Sequence, residues 1–464
     1  MTSHKSSILF QNTELDIFII DIPTSISLAQ HDPIQLASNQ TVPFIYSSPP
    51  KQYGTTSSEP KSSAARAKVL ARVPIKEQVN YHSIIETVKE AEAVLLSYDG
   101  ERCWPRHSPP TSNTTATKVQ VENRSDTLAD KHPFKKKRLG DTPIIQDEPT
   151  LSVGGDYFSA LYLRESPAPP VILSPGVNRF HCLKDIQGSI VKNTSPLPAE
   201  LKLRVRHNGN EELRGVSLMI PPLATFILSH LAPSTEGILE MNFTSRLSSL
   251  IPKFDFILAD PPWPNRSVKR SLHYRTPSSF LEIEFLVTDV IRGLLKRDGG
   301  IVAIWTTNSA NSREVVYNSF HEANVRLVEE WIWVKTKVGG GYVMPLDGVW
   351  RKPYEVLMIG RGLGESREDT DFICNNLHTK RRVMEAVPDI HSRKPNLKEL
   401  VEKIFFSSSS QSPSYSALEV FARNLTAGWW AIGDEALRFN WDGWWAKTEQ
   451  PKDTDITTPN CVDH

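Results

Sequence analysis

Neither sign of charge is in excess: Lys plus Arg number 53 and Asp plus Glu number 53, so the 464-residue chain has no global basic field. Any nucleic-acid partner must therefore be held by a local patch. Cysteine is scarce. Cys103, Cys182, Cys374 and Cys461 lie far apart without paired metal-ligand spacing, and read as free thiols in a reducing compartment. No apolar run approaches the roughly 18 residues of a membrane helix. The N-terminus also lacks the basic-then-apolar succession of a secretory signal. Zinc-ligand sets, a P-loop and a Ser-His-Asp constellation are all missing, and no metal is expected. Gly339-Gly340-Gly341 follows a strand-like run but lacks the spaced dinucleotide fingerprint.

What is present is uneven along the chain. Residues 1–62 are rich in Ser, Thr, Pro, Gln and Asn, with one short apolar patch at Phe18-Ile19-Ile20, and read as a disordered segment. Residues 63–100 read as a helical accessory segment. Val69, Leu70, Ile84, Ile85, Val88, Ala91, Val94 and Leu95 recur at three- and four-residue steps there, broken at Pro74. Residues 101–150 form a low-complexity linker carrying Lys135, Lys136, Lys137 and Arg138, which fit a nuclear import signal or a phosphate-contacting patch. Residues 151–215 mix strand-like and turn-like pieces and read as an accessory region, and residues 441–464 as a polar tail whose Trp441, Trp444 and Trp445 can dock its start.

Between 216 and 440 the pattern is orderly. It opens with strand-like runs at 216–220 and 225–228, and Phe256-Ile257-Leu258-Ala259 is a short buried strand. Ile283, Val287, Val290 and Leu294 mark a helix face, followed by a strand at 301–305. Val315, Val316, Tyr317 and Phe320 mark another helix, and strands follow at 328–334 and 353–360. Leu397, Leu400, Val401 and Ile404 give a further helix before strands at 418–422 and 430–432. Strands alternating with helices imply a mostly parallel sheet with helices on both faces, an α/β domain of Rossmann-like type.

One stretch organises this domain. The buried strand ends abruptly at Asp260-Pro261-Pro262-Trp263, where neither proline can donate to a sheet ladder. A carboxylate and a flat indole are thereby held at a strand's carboxyl end, the place where open α/β sheets bind ligands. Such a pair suits methylation of an exocyclic amino group. The adenine N6 lone pair is delocalised into the ring and is a poor nucleophile. Asp260 and a carbonyl of the Pro-Pro turn can accept the two N6 hydrogens, draw nitrogen toward tetrahedral geometry, and free the lone pair for attack. Trp263 then offers a stacking face for the base.

The surroundings extend the pattern. Ser267-Val268-Lys269-Arg270, Trp331-Ile332-Trp333-Val334-Lys335, Lys352-Pro353-Tyr354-Glu355, His391-Ser392-Arg393-Lys394-Pro395, the run from Leu418 to Asn424 and Gly428-Trp429 follow in one order. In these motifs the chain, from about 221 to 439, resembles the MT-A-seventy family of adenine-N6 methyltransferases, most closely its methyltransferase-like protein four branch. The resemblance implies S-adenosylmethionine as cofactor, Asp260, Pro261, Pro262 and Trp263 as catalytic residues, and a cofactor site of Ser229, Asp260, Lys394, Glu419, Phe421, Arg423, Asn424, Asp434 and Glu435. Lys394 would reach the methionine carboxylate or nearby backbone. Two positions depart from the branch: His230 stands where it has an acid, and Asp434 where it has Asn. They keep open a second reading, a catalytically silent nucleic-acid-binding scaffold.

Substrate grip is expected beside the strand end. Arg266, Lys269, Arg270, Tyr274 and Arg275 put cations and an aromatic within ten residues, a platform suited to a single strand. Lys335 and Lys337 flank a Gly-rich loop able to close on a nucleotide or to stand as a hairpin. These contacts suit RNA or DNA, and RNA is favoured because an unpaired adenosine is cheaper to present than one flipped from a duplex. The resemblance implies structured small nuclear RNA at 2′-O-methyladenosine, with DNA as the alternative. The basic run at 135–138 points to the nucleus, with the cytosol as a second location. A monomer is expected over an obligate heterodimer, and the lack of a membrane-length apolar run argues against a role at a membrane.

Overall fold

The computed structural model describes residues 6–31, 42–50, 59–109, 169–207, 210–229, 231, 250–264, 279–364, 379–390, 393–407 and 414–446. In chain order these form β1 (Ile8–Gln11), β2 (Ile17–Ile20), α1 (Ile22–Ala29), α2 (Ser63–Leu70), α3 (Ile75–Leu95), β3 (Val171–Leu173), β4 (Gly176–Phe180), β5 (Ile190–Asn193), β6 (Ala199–His207), β7 (Asn210–Ile220) and β8 (Thr225–Leu228). There follow β9 (Phe256–Ala259), α4 (Phe280–Leu294), β10 (Ile301–Thr306), α5 (Ala310–Glu322), β11 (Val325–Lys335), β12 (Tyr354–Gly362), β13 (Lys380–Ala386), α6 (Lys398–Phe405), β14 (Ala417–Val420) and β15 (Trp430–Gly433). Among the described residues no helix is long and apolar enough to cross a membrane.

Twelve strands make one sheet in the order β1-β2-β13-β11-β12-β10-β9-β14-β15-β8-β5-β3, and β4-β6-β7 make a second. Strand β9 lies between β10 and β14, parallel to both. Ile257 and Ala259 pack on one face with α3, α4 and α5, while Phe256 and Leu258 pack on the other with α1 and α6. Burial on both faces is why this strand reads as an unbroken apolar run. From β9 the chain crosses through α4 to β10 on one side. Later it returns through α6 to β14 on the other side. Right-handed crossovers in opposite directions place their helices on opposite faces. The β9/β14 boundary is therefore the topological switch point, where the strand ends part and leave a crevice.

The expected disordered segment is corrected. Strand β2 pairs in parallel with β13, and Phe18, Ile19, Ile20 and Ile22 are buried in the core. Asp21 caps α1 through Thr24 N at 3.0 Å, and Ser7 Oγ donates to Glu399 of α6 at 2.6 Å. The low-complexity composition around this patch hid it. Its signal was local: three apolar residues of β propensity, then an N-cap Asp with Pro in the first helical turn.

The accessory assignments change as well. Residues 63–100 hold two helices, divided at Pro74, and Ile84, Val88, Ala91 and Leu95 of α3 lie in the main core. Strands β3 and β5 of the expected accessory region extend the large sheet beyond β8, so the domain boundary at 216 does not hold. Residues 216–220 belong to β7 in the second sheet, whose apolar face packs against β8 and β15 through Leu218, Phe226 and Ala431. Trp444 is fully buried against Phe439, which docks the start of the tail. The four cations at 135–138, residue 230 and the rest of the tail lie outside the described residues.

Candidate active site

Asp260 leaves β9 at the switch point, its backbone N–H turned to the Val420 carbonyl at 3.4 Å. The next two residues close a tight turn in which Trp263 N–H donates to the Pro261 carbonyl at 2.9 Å. The Trp263 indole N–H donates to Trp305 O of β10 at 2.9 Å, and Phe280 packs alongside with ring centroids 6.2 Å apart. Trp263 is only 6% exposed. This corrects the expectation of an open stacking face: the indole buttresses the turn that aims Asp260.

Around Asp260 the fold assembles charges that are distant in sequence. Lys394 Nζ lies 3.2 Å from Asp260 Oδ1 and 2.9 Å from Glu355 Oε2. Lys335 Nζ lies 2.5 Å from the other Glu355 oxygen. Two indoles face these ammonium groups, Trp305 at 5.2 Å from Lys394 and Trp333 at 4.8 Å from Lys335. Burial would raise the Glu355 carboxyl, but Lys394 and Lys335 outweigh it by charge and hydrogen bond and hold it down to about 2. Burial likewise works against a charged Lys394, and its two carboxylates reverse this and raise it. Lys394, expected to reach a cofactor carboxylate, is placed here between two carboxylates of the chain itself, Asp260 and Glu355.

The pH consequence has a definite sign. A carboxyl depressed by folding contributes stability above its ordinary value near 4.5, and that stability is lost as pH falls toward about 2. Lys394→Met removes one of the two ammonium groups, so the Glu355 carboxyl should titrate at higher pH and acid unfolding should begin earlier. Carbon-detected NMR of the Glu side chains checks this, and an unmoved Glu355 titration would contradict the coupling.

Glu419 stands on β14 beside Asp260. Burial and then the neighbouring Asp260 charge push its carboxyl up to about 8, so it is protonated at neutral pH. Phe421, just past β14, has φ 61, a left-handed conformation costly for a bulky residue. Arg423 Nε contacts Glu435 Oε2 at 3.2 Å, and Arg438 holds the other Glu435 oxygen at 3.1 Å. Asn424 Nδ2 lies 3.4 Å from Leu425 O. Ser229 follows β8, is buried, and donates its N–H to Gly433 O at 3.2 Å; Asp434 follows β15. The candidate cofactor residues thus come together at the carboxyl edge of β8, β15, β14 and β9.

The nucleic-acid candidates divide. Lys335 is committed to Glu355, which corrects its assignment as a phosphate contact. Lys337 is exposed at the tip of a hairpin closed by Lys337 N–H to Gly341 O at 2.9 Å. That hairpin is tied to α3 by Tyr342 Oη donating to Glu92 at 2.7 Å. Arg266, Lys269, Arg270, Tyr274 and Arg275 lie outside the described residues. Glu355 and Trp305 were given no role from sequence. Glu355 sat inside a quoted motif, but only the pairing of β12 between β10 and β11 shows what its carboxylate faces.

Fold and site together define a doubly wound α/β domain whose acidic Pro-Pro-Trp turn occupies the ligand crevice at the switch point. Residues 254–435 match the MT-A70 family. The chain is 39% identical over 208 residues to the N6-methyladenosine RNA methyltransferase MTA1 of Cryphonectria parasitica, covering 44% of this chain and 57% of that protein. It is 30% identical over 263 residues to the N(6)-adenine-specific methyltransferase METTL4 of Homo sapiens, covering 54% and 50%. A DNA N6-methyl methyltransferase of Caenorhabditis elegans matches at 30% over 227 residues, covering 48% and 54%. The chain spans about half the length of the curated relatives it matches.

Proposed function

We propose that this protein transfers a methyl group from S-adenosylmethionine to N6 of adenosine in RNA. The observation that carries the reading is Asp260 in its Pro-Pro-Trp turn at the switch point, inside the residues that match the MT-A70 family. The strand-end residues fit the cofactor: carboxylates Asp260, Asp434 and Glu435 and cations Lys394 and Arg423 complement a ligand bearing a sulfonium, an ammonium and a carboxylate. When bound, that ligand supplies an electrophilic methyl group.

Asp260 accepts one N6 hydrogen, with Lys394 at 3.2 Å orienting its carboxylate. The second acceptor is a carbonyl of the turn: Pro262, or the remaining lone pair of Pro261, whose carbonyl already serves Trp263 N–H. The methylated nitrogen then gives up a proton, which Asp260 is placed to receive. RNA is preferred over duplex DNA because the chain is neutral overall and an unpaired adenosine need not be flipped. Small nuclear RNA with a 2′-O-methyl on the target adenosine, nuclear import through Lys135, Lys136, Lys137 and Arg138, and action as a monomer belong to the same proposal.

Labelled-methyl transfer to matched oligonucleotides tests it. Bulged RNA should be methylated faster than single-stranded DNA, and duplex DNA slowest, with a further gain from 2′-O-methyladenosine. Faster methylation of duplex DNA across several sequences would overturn the RNA assignment, and no transfer to any substrate would favour the silent scaffold. A reporter that stays nuclear without the four cations would remove the import assignment.

A further inference from the structure

The segment holding α2 is clamped onto the loop that leads into β12. Glu59 accepts the backbone N–H groups of Val349 at 2.8 Å, Trp350 at 3.1 Å and Arg351 at 3.3 Å. Arg66 donates to both Asp347 O and Asp347 Oδ2 at 2.9 Å. Lys352 lies 4.0 Å over the Tyr81 ring, and Tyr81 Oη donates to Asn308 O at 3.1 Å, just past the carboxyl end of β10. These contacts use the two local acids to fix the loop. They leave a surface rim on the same edge of the sheet as Asp260.

That rim has an unusual composition. Lys61, Lys68, Arg72 and Arg351 are exposed, and among the described residues none has a carboxylate partner. Lys76 adds a fifth exposed cation, resting 5.5 Å from the Tyr317 ring. Trp350 is 56% exposed although its backbone is pinned by Glu59. Lys61, Lys68 and Arg72 lie on the α2 segment, and Trp350 and Arg351 on the loop that Glu59 and Arg66 tie to it. A solvent-facing indole with exposed cations on the element tied to it can stack a base and neutralise phosphates. The rim is also close to the chemistry. Trp350 stands five residues before Glu355, at most roughly 18 Å along an extended chain, and Glu355 reaches Asp260 through Lys394.

We infer that this rim docks the single-stranded RNA flanking the target adenosine, with phosphates on Lys61, Lys68, Arg72 and Arg351 and one base on Trp350. The inference rests on the reading of Asp260 as the adenosine site. A single strand is the occupant because one isolated indole can take only an unpaired base, and the charge is local rather than spread along a duplex-length face.

The test compares the full chain with a Lys61→Ala/Lys68→Ala/Arg72→Ala triple variant and with Trp350→Ala, using fluorescence anisotropy on a labelled unpaired RNA across a salt series. The triple variant should bind about tenfold more weakly. Its log–log salt slope should shrink by about 2, because three cations at about 0.7 each are removed. Trp350→Ala should lose about tenfold with the slope unchanged, since stacking releases no counterions. Melting temperatures should match the parent because all four side chains are exposed. Wild-type affinity and slope in the triple variant would overturn the inference, as would equal losses on duplex DNA without loss on RNA. Repeating the titrations in an Asp260→Ala background separates the two readings. Loss of affinity in the rim variants there supports the rim whatever the chemistry. A parent protein that methylates none of the RNA or DNA substrates refutes the methyltransferase assignment and leaves the rim standing.

Discussion

Asp260→Ala should lower single-turnover methyl transfer by about 10²–10⁴-fold, the range expected when a positioned proton acceptor is removed. The loss should not come from unfolding. Asp260 is half-buried at a strand end, and Lys394 keeps its Glu355 partner at 2.9 Å when the aspartate is gone. Asp260→Asn is the sharper variant. It keeps one acceptor oxygen but loses the charge that faces Lys394 and receives the departing proton, so it should remain well below the parent. Calorimetry with S-adenosylmethionine would show whether cofactor affinity survives. Turnover near the parent level in Asp260→Ala would end the mechanism. Trp263→Ala is a poorer probe of chemistry than its place in the motif suggests. The indole is 6% exposed and hydrogen-bonded to Trp305 O, so the variant should lose about 3–5 kcal/mol of stability as well as activity.

The largest effect on stability is expected from the N-terminal segment. Phe18→Ala empties a fully buried site between β2 and the α1/α6 layer, and should cost about 3–5 kcal/mol, a large part of a typical domain's roughly 5–15 kcal/mol. Deleting residues 6–31 should be worse. It removes β1, β2 and α1 together, strips the partner from β13, and uncovers Met384, Ile390 and Leu400. An open strand edge beside exposed apolar surface is an aggregation site. The deletion variant should therefore be insoluble or molten, and Phe18→Ala should show a lower denaturant midpoint at unchanged slope. A deletion variant with the parent's melting temperature would show that these strands are dispensable.

Strand β13 opens with Lys380, Arg381 and Arg382, three consecutive cations that carry no apolar signal of a buried strand. In the sheet Arg381 pairs with Glu330 at 2.9 Å and Arg382 with Glu329 at 2.7 Å, both from adjacent β11. The cations are cancelled across the ladder by residues some fifty positions away. Lys335 illustrates the same limit at the site. A lysine next to a Gly-rich loop looks like a phosphate contact until Glu355 is placed beside it.

Local chemistry alone determined the strand that ends at Asp260-Pro261-Pro262-Trp263 and the alternation of helices and strands around it. Each of these depends on periodicity or on what proline cannot do within a few residues. The tertiary structure alone decided that the N-terminal patch is sheet, that Trp263 is a buttress, and that Lys394 bridges Asp260 to Glu355. Those outcomes depend on which strands become neighbours. A side chain's charge partner and burial are properties of that neighbourhood, and the crossover from β13 through α6 back to β14 is what sets it.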